Sequence, residues 1–341
     1  MQRREFLATS VMATAGFAAE PFAAPRAKAM TVRGPMNAAL LGTVLMHEHV
    51  MVDFIGADKV NPNRYHRDEV FRTALPFLQQ AARNGVKTLV ECTPAWLGRD
   101  PELLRRLSLA SKLNIITNTG YYGAANDKFV PAHAYQESAE QLAARWVKEF
   151  QFGIDGTGIK PGIIKIGVDA GPLSEIDTKL VKAAALTHLQ TGLTIGAHTG
   201  DGIAAIQQLD LLASLGVQLG AFIWIHAQNE KDPVVHRRAA ERGCWVEFDG
   251  INPNSAAKHA EYVTNLAEQN LLGRVLISMD AGWYHVGEPQ GGKYRDYSSL
   301  FTDFLPILKK QLNTRQIAQL LNDNPHRALS LEVKRKTRND D

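Results

Sequence analysis

The run Leu40-Leu41-Gly42-Thr43-Val44-Leu45-Met46-His47-Glu48-His49 decides how the rest of the chain is read. A mostly apolar stretch ends abruptly in three ionisable residues. Side chains alternate along a strand, so residues two apart share a face. In an extended segment His47 and His49 leave the backbone together, with Cα atoms roughly 6–7 Å apart. That suits two ligands of one metal centre. It differs from the helical His-Glu-x-x-His zinc motif, whose histidines lie one helical turn apart. Short His-x-His pairs also occur as packed or surface residues, so the pair needs support from elsewhere.

Working outward, short apolar strands alternate with longer amphipathic stretches. Strands are expected at 44–50, 88–93, 115–121, 163–168, 194–199, 222–227, 245–250 and 275–280. Helical patterns fill gaps, as at 67–84, 101–112, 134–152, 178–191 and 255–269. Near-continuous apolar strands between helices imply a buried parallel sheet. Eight such units predict an α/β fold closed into a (β/α)8 TIM barrel, with the active site at the C-terminal ends of the strands. A doubly wound open sheet is the competitor, but no G-x-G-x-x-G follows the first strand. Ionisable residues fall where strands run into their loops: His47, His49, Glu91, His198, His226 and Asp280, with Lys165 inside the fourth strand. Each alone reads as a hydrogen-bonded or capping residue. Burying so many without compensating charge would cost several kcal/mol each, and metal ions supply that compensation.

The termini read differently. Arg3-Arg4 precedes a short Ala-rich apolar segment, the pattern of a twin-arginine export signal. The segment is too short for a membrane span, and Ala27-Lys28-Ala29 offers a small-x-small cleavage site. Residues 1–29 are therefore expected to be a leader, 30–333 the barrel and 334–341 a polar tail, with the mature protein periplasmic or secreted. Arg3, Arg4, Arg26 and Lys28, set against Glu5 and Glu20, supply +2 of the formal +3 charge. The remainder, near neutral, gives no reason to expect a nucleic-acid partner. Cys92 and Cys244 lack partners at metal-ligand spacing and read as packed thiols, although an exported protein is permitted a disulfide.

Four imidazoles, one carboxylate and one lysine exceed a mononuclear zinc site of three protein ligands and water. They suffice for two metals. Two dications about 3.5–4 Å apart repel, so the pair needs anionic bridges. An ammonium cannot serve. A deprotonated Lys165 that reacts with carbon dioxide becomes a carbamate, an anionic two-oxygen bridge. The alternative for Lys165 is an ion pair with Glu91 or Asp169.

With these residues assembled, the chain over 34–330 resembles the phosphotriesterase family of the amidohydrolase superfamily. The resemblance rests on Gly42-Thr43-Val44-Leu45-Met46-His47-Glu48-His49, on Gly153-Ile154-Asp155-Gly156-Thr157-Gly158-Ile159-Lys160-Pro161-Gly162-Ile163-Ile164-Lys165, and on His198-Thr199, His226, Asp280 and Asn324-Pro325. It implies a barrel holding two divalent metals, commonly zinc, with manganese, cobalt or iron as alternatives. His47, His49 and Asp280 would hold the more buried metal and His198 and His226 the more exposed one. Lys165, as N6-carboxylysine, would bridge them. A bridging hydroxide would be the nucleophile, with Asp280 as the catalytic proton acceptor.

Departures bear on the substrate. Asn229 and Gly250 stand where phosphotriesterases proper place a relay Asp and His, and Gly250-Ile251-Asn252 lacks the Arg of acyl-homoserine-type lactonases. Trp96, Tyr121, Tyr122, Trp283, Tyr284 and His285 follow strand ends and are candidate substrate-binding residues; loop packing is the other reading. Residues 287–297, with Gly291-Gly292, read as a lid-like loop. The resulting expectation is a hydrolase of carboxylic esters or lactones acting on a small molecule, with no membrane span and a homodimer left open. Amide or phosphotriester hydrolysis at the same centre, or a catalytically inert metal-containing binding protein, are the alternatives.

Overall fold

The computed structural model describes residues 27–336. The twin-arginine segment and residues 337–341 of the polar tail lie outside the described residues. A hairpin of β1 (Lys28–Thr31) and β2 (Gly34–Asn37) precedes the barrel. Ala29 is fully buried, and Lys28 O accepts from Leu331 N. The expected boundary between residues 29 and 30 thus falls inside a strand. At the far end Gln218 N donates to Lys334 O and Val217 bridges Arg335, so order also continues past residue 333.

The wall is a (β/α)8 barrel. Its strands are β3 (Thr43–Glu48), resumed by the short β4 (Met51–Val52), β5 (Val86–Glu91), and β6 (Asn114–Ile116) with β7 (Asn118–Thr119), two halves of one strand. They continue as β8 (Ile163–Val168), β9 (Thr194–Thr199), β10 (Phe222–Ile225), β11 (Trp245–Phe248) and β12 (Val275–Ile277), resumed by β13 (Tyr284–His285). Pairing is parallel throughout, in the orders β3-β5-β6 and β7-β8-β9-β10-β11-β12. Outside lie α1 (Arg67–Arg83), α2 (Pro101–Ser111), α3 (Ala132–Gln136), α4 (Ala139–Phe152), α5 (Glu175–Thr191), α6 (Gly202–Ser214), α7 (Pro233–Glu241) and α8 (Ala256–Glu268). The single helix expected over 134–152 is two. Ser138 is extended and caps α4 reciprocally with Gln141, satisfying the first orphan amides of a new helix.

Strand alternation divides the core. Val44, Met46, Val90, Cys92, Ile116, Ile163, Ile223, Ile225, Trp245 and Leu276 form one cluster, the barrel interior. Leu45, Leu89, Ile115, Ile164, Ile166, Ile195, Trp224, Val246 and Val275 join the larger cluster between wall and helices. By strict alternation, His47 would point outward with Leu45. The β3–β5 register shifts between Leu45 and Glu48, and this irregularity re-aims His47 and His49 inward. The same alternation corrects the reading of the second strand. Cys92 lies on the interior face, while Glu91 accepts from Val50 N at 3.2 Å.

Closure has two seams. Thr117 joins β6 to β7 and accepts from Gly162 N at 2.8 Å. At the other seam β12 stops at Ile277, and Asp280 has a left-handed φ of 50°, so a regular ladder to β3 fails. Asp280 N donates to His47 O, and His49 N donates to Ala281 O. Glu48 supplies the remaining acceptors: its carboxylate takes Ser278 Oγ at 2.8 Å, Met279 N at 3.0 Å and Ala281 N at 2.7 Å. Replacing Glu48 leaves three buried donors without partners, each worth about 1–3 kcal/mol when unsatisfied. Glu48→Ala should therefore lower unfolding stability by roughly 3–5 kcal/mol, and Glu48→Gln by less because one acceptor oxygen survives. Urea denaturation at constant metal content measures both; a loss below about 1 kcal/mol for Ala would mean the seam does not need the carboxylate.

Candidate metal centre

Three lone pairs converge at the top of β3. His47 Nε2 and His49 Nε2 are 3.2 Å apart, and Asp280 Oδ1 lies 3.1 Å from His49 Nε2 and 3.7 Å from His47 Nε2. Their partners fix the tautomers. His47 Nδ1 is 3.0 Å from Asp249 Oδ2, an acceptor, so the ring proton sits there. Thr93 Oγ1 donates to Met51 O and therefore accepts from His49 Nδ1 at 2.8 Å. Both Nε2 atoms are consequently proton-free. Asp280 Oδ1 is buried without a hydrogen-bond partner. Three electron-pair donors facing one point with no proton between them fit a cation. His47 and His49 are both held below the usual histidine range by burial, His49 at about 4, which keeps the rings neutral and able to ligate.

Asp249 stands behind this group. Its Oδ1 accepts from His226 Nδ1 at 2.5 Å and from Gln228 Nε2 at 2.7 Å, while Oδ2 serves His47. Burial acts to raise its carboxyl, but the His226 and His47 imidazoles overcome this and hold it well below the carboxylate range. One fully buried anion thus fixes Nδ1–H on two histidines of different strands; burial acts to lower the His226 imidazole, but Asp249 overcomes this and holds it above the usual histidine range, so a cation at His226 Nε2 must displace a proton. His47, His226 and Asp249 also form a group with metal-ligand spacing, but their Nδ1–H donors are already spent on the carboxylate. Glu247 lies deeper, Oε1 3.8 Å from His47 Nδ1; burial pushes its carboxyl well above the usual range.

All six expected ligands, His47, His49, Lys165, His198, His226 and Asp280, line one cavity of about 320 Å³. The His198 and His226 rings meet edge to face at 4.4 Å, and Tyr122 Oη is 3.0 Å from His198 Nδ1. His226 leaves β10 with a left-handed φ of 62°, which turns its ring toward His47. Lys165 is buried, its Nζ 5.3 Å from the centre of the Tyr122 ring. Among the described residues no carboxylate lies within ion-pair distance of it. Glu91 and Asp169, its expected alternative partners, bind backbone amides of Val50 and of Ala125 and Asn126 instead. Burial drives the Lys165 ammonium below its ordinary value, which favours the neutral, nucleophilic amine.

The aromatic candidates divide. Tyr122 and Trp283 line the cavity with Phe54, Pro94, Leu97 and Phe129. Trp283 packs 4.3 Å from the His49 ring, and His285 stacks behind it at 6.1 Å. Trp96 and Tyr121 instead line a separate cavity of about 650 Å³ with His133 and Arg99. Tyr284 is buried against Gly291 and donates to Glu69 Oε1 at 2.7 Å. Nor is 287–297 a lid. Tyr297 is buried and donates to His49 O at 2.7 Å, and Arg295 exchanges backbone bonds with Gly282. Cys92 and Cys244 are buried, free thiols.

Sequence reading underweighted Asp249, although it follows an apolar strand just as His198 does; its neighbours Glu247 and Gln228 were missed altogether. Asp249→Asn must present an N–H to one imidazole and so forces a wrong tautomer. It should weaken divalent-metal binding by about 10–100-fold with secondary structure retained. Chelator-competition titration and circular dichroism read the two quantities; unchanged affinity would remove Asp249 from the centre.

The Phosphotriesterase family matches residues 27–329. The chain is 31% identical over 289 residues to the Phosphotriesterase homology protein of Escherichia coli, covering 83% of this chain and 96% of that protein. It is 25% identical over 302 residues to the Aryldialkylphosphatase of Saccharolobus solfataricus, covering 85% and 95%. Among solved structures, a mutant of a PTE-like lactonase from Deinococcus radiodurans superposes with a TM-score of 0.79 at 28% identity, covering 89% of this chain and all of that one. With barrel, strand-end histidines and cavity in agreement, the chain belongs to the phosphotriesterase family.

Proposed function

We propose that this protein is a binuclear metal-dependent hydrolase of carboxylic esters or lactones. The observation that carries the reading is the proton-free convergence of His47 Nε2, His49 Nε2 and Asp280 Oδ1 on an apolar-walled cavity. These three would hold one divalent metal, His198 and His226 a second, with Lys165 as N6-carboxylysine between them. Zinc suits an imidazole-rich set, with manganese, cobalt or iron as substitutes. Two such ions, when bound, would supply water acidified from 15.7 toward about 7 and would polarise a carbonyl oxygen.

The chain's own residues do the rest. Asp280 takes the proton of the attacking water. Phe54, Leu97, Phe129 and Trp283 exclude bulk solvent, and Tyr122 Oη sets a polar group beside His198. Asn229 Nδ2 donates to Thr199 O at 3.4 Å and carries no transferable proton, while Gly250 has no side chain. An amide's leaving nitrogen must be protonated, and with no acid at these two positions that proton would have to come from Asp280 after it has taken it from the water. That supports an ester or lactone, whose alkoxide leaves more readily. The relatives' names include a phosphatase, a lactonase and an N-acetyltaurine hydrolase, so amide hydrolysis stays among the alternatives to be tested.

A panel of lactones, aryl esters, N-acyl amines and phosphotriesters tests the reading on metal-loaded protein. Turnover of amides alone would overturn the ester preference; full metal occupancy without any turnover would favour an inert binding protein. The carbamate has its own test. Carbon dioxide adds to the neutral Lys165 amine with loss of one proton, and the product is an anion. Lys165→Ala should lose one metal and activity by more than about 100-fold, with partial rescue by small carboxylic acids that supply the missing anion. Lys165→Arg stays cationic and should fail. Lys165→Glu should keep more metal than Ala. A fully active Lys165→Arg enzyme would remove the carbamate.

Export through the twin-arginine route, to the periplasm or beyond, belongs to the same proposal, since a site drawn from many strands exists only in a folded chain. Replacing Arg3 and Arg4 with Lys should trap precursor in the cytoplasm. Normal amounts of exported enzyme would refute the assignment.

A further inference from the structure

The cavity wall carries one charge that the hydrolytic centre does not use. Of its lining residues, six belong to the proposed metal set, Cys92 is a buried neutral thiol, and the others apart from Lys128 are largely apolar. Lys128 remains. Its ammonium lies 5.5 Å from the Phe129 ring centre, and among the described residues no carboxylate is within ion-pair distance.

Lys128 is not a casual surface lysine, because the backbone that carries it is held in an unfavourable shape. Ala125, Asn126 and Asp127 take successive left-handed φ values of 61°, 54° and 59°. None is glycine, and a run of such residues persists only when its surroundings enforce it. The enforcement is visible. Asp169 accepts from Ala125 N at 2.8 Å and Asn126 N at 3.0 Å, Tyr122 pairs with Phe129 across the base of the loop, and Ala57 N donates to Lys128 O at 3.0 Å. The loop after the third strand is thereby fixed at the rim, where Lys128 is exposed, lines the cavity and carries its ammonium beside the Phe129 ring.

We propose that Lys128 is the specificity-determining residue of this pocket and selects esters or lactones that bear an anionic group, a carboxylate or phosphate, a short apolar spacer away from the scissile carbonyl. The proposal rests on the hydrolase reading above. Once a substrate covers the cavity mouth and displaces water, the Lys128 ammonium interacts with a counter-charge more strongly than it would in bulk water. A neutral substrate filling the cavity would strip water from that ammonium and give nothing back. An anionic one completes a charge-assisted contact while its spacer covers Phe129 and Trp283. Discrimination of this kind falls on substrate binding, because the contact is equally present before and during reaction.

The test is a matched set of esters with identical leaving groups and acyl chains ending in methyl, carboxylate or phosphate. Lys128→Met should reduce kcat/KM for the anionic members by about 10–100-fold, mainly through KM, and change the neutral member by less than about threefold. Lys128→Arg should restore the preference, and Lys128→Glu should reverse it. Raising ionic strength should shrink the wild-type preference. Binding supplies a readout independent of turnover: on metal-loaded protein, an aliphatic dicarboxylate should quench tryptophan fluorescence at lower concentration than the matching monocarboxylate, and Lys128→Met should abolish the difference. Asp58 Oδ1 and Lys128 Cγ both approach Gly56, so Asp58→Asn is the control for a simple rim pair. Equal losses on neutral and charged esters, a wild-type enzyme indifferent to charge, or dicarboxylate binding untouched by Lys128→Met would each overturn the proposal and leave the hydrolase reading standing. Turnover of no ester at all would sink that reading instead, while the binding comparison still decides the role of Lys128.

Discussion

The barrel depends on a carboxylate placed between two candidate ligands. Glu48 fills the gap left where β12 stops short of β3, and its three acceptor bonds replace the rungs that a regular ladder would have provided. Because Glu48 separates His47 from His49, anything that secures it also fixes both imidazoles. Asp280 benefits from the same seam, since its amide donates to His47 O. Wall closure and site geometry are one set of interactions.

Asp249 repeats the logic one strand away. A carboxylate buried without compensation would be costly, and here two imidazole N–H groups and the Gln228 amide compensate it. In return it turns the Nε2 atoms of His47 and His226 to the cavity. Thr93 does the same for His49 with a neutral hydroxyl. Orientation at this centre is assigned to residues that do not line the cavity, which leaves the cavity side free to change.

What the sequence made legible followed from periodicity. Strand ends in an eightfold repeat converge, so His47, His49, Lys165, His198, His226 and Asp280 could be grouped before any coordinates, and one cavity collects them. The failures are equally physical. Alternation does not announce the register shift in β3 that turns His47 inward, whereas in β5 it puts Glu91 on the face away from Cys92, outside the convergent strand-end group. An aromatic residue after a strand has two sides of a loop to choose from. Trp96 turns one way and its neighbour Leu97 the other, into different cavities. Residues 287–297 look mobile because they lack a period, yet Tyr297 anchors them to His49 by a bond no local pattern encodes. Ser138 was readable as a cap; the helical periodicity on both sides concealed the break.

The seam also sets an order of events during synthesis. Glu48 and its partner Ser278 are 230 residues apart. At translation rates of roughly 5–20 residues per second, the histidine pair emerges on the order of ten to fifty seconds before the segment that positions it. Throughout that interval His47, His49 and the thiol of Cys92 lie on a nascent chain with no barrel around them, open to whichever soft cation the cell offers. Fidelity of metal choice in such a protein is therefore a question of timing on the ribosome as much as of affinity in the finished fold.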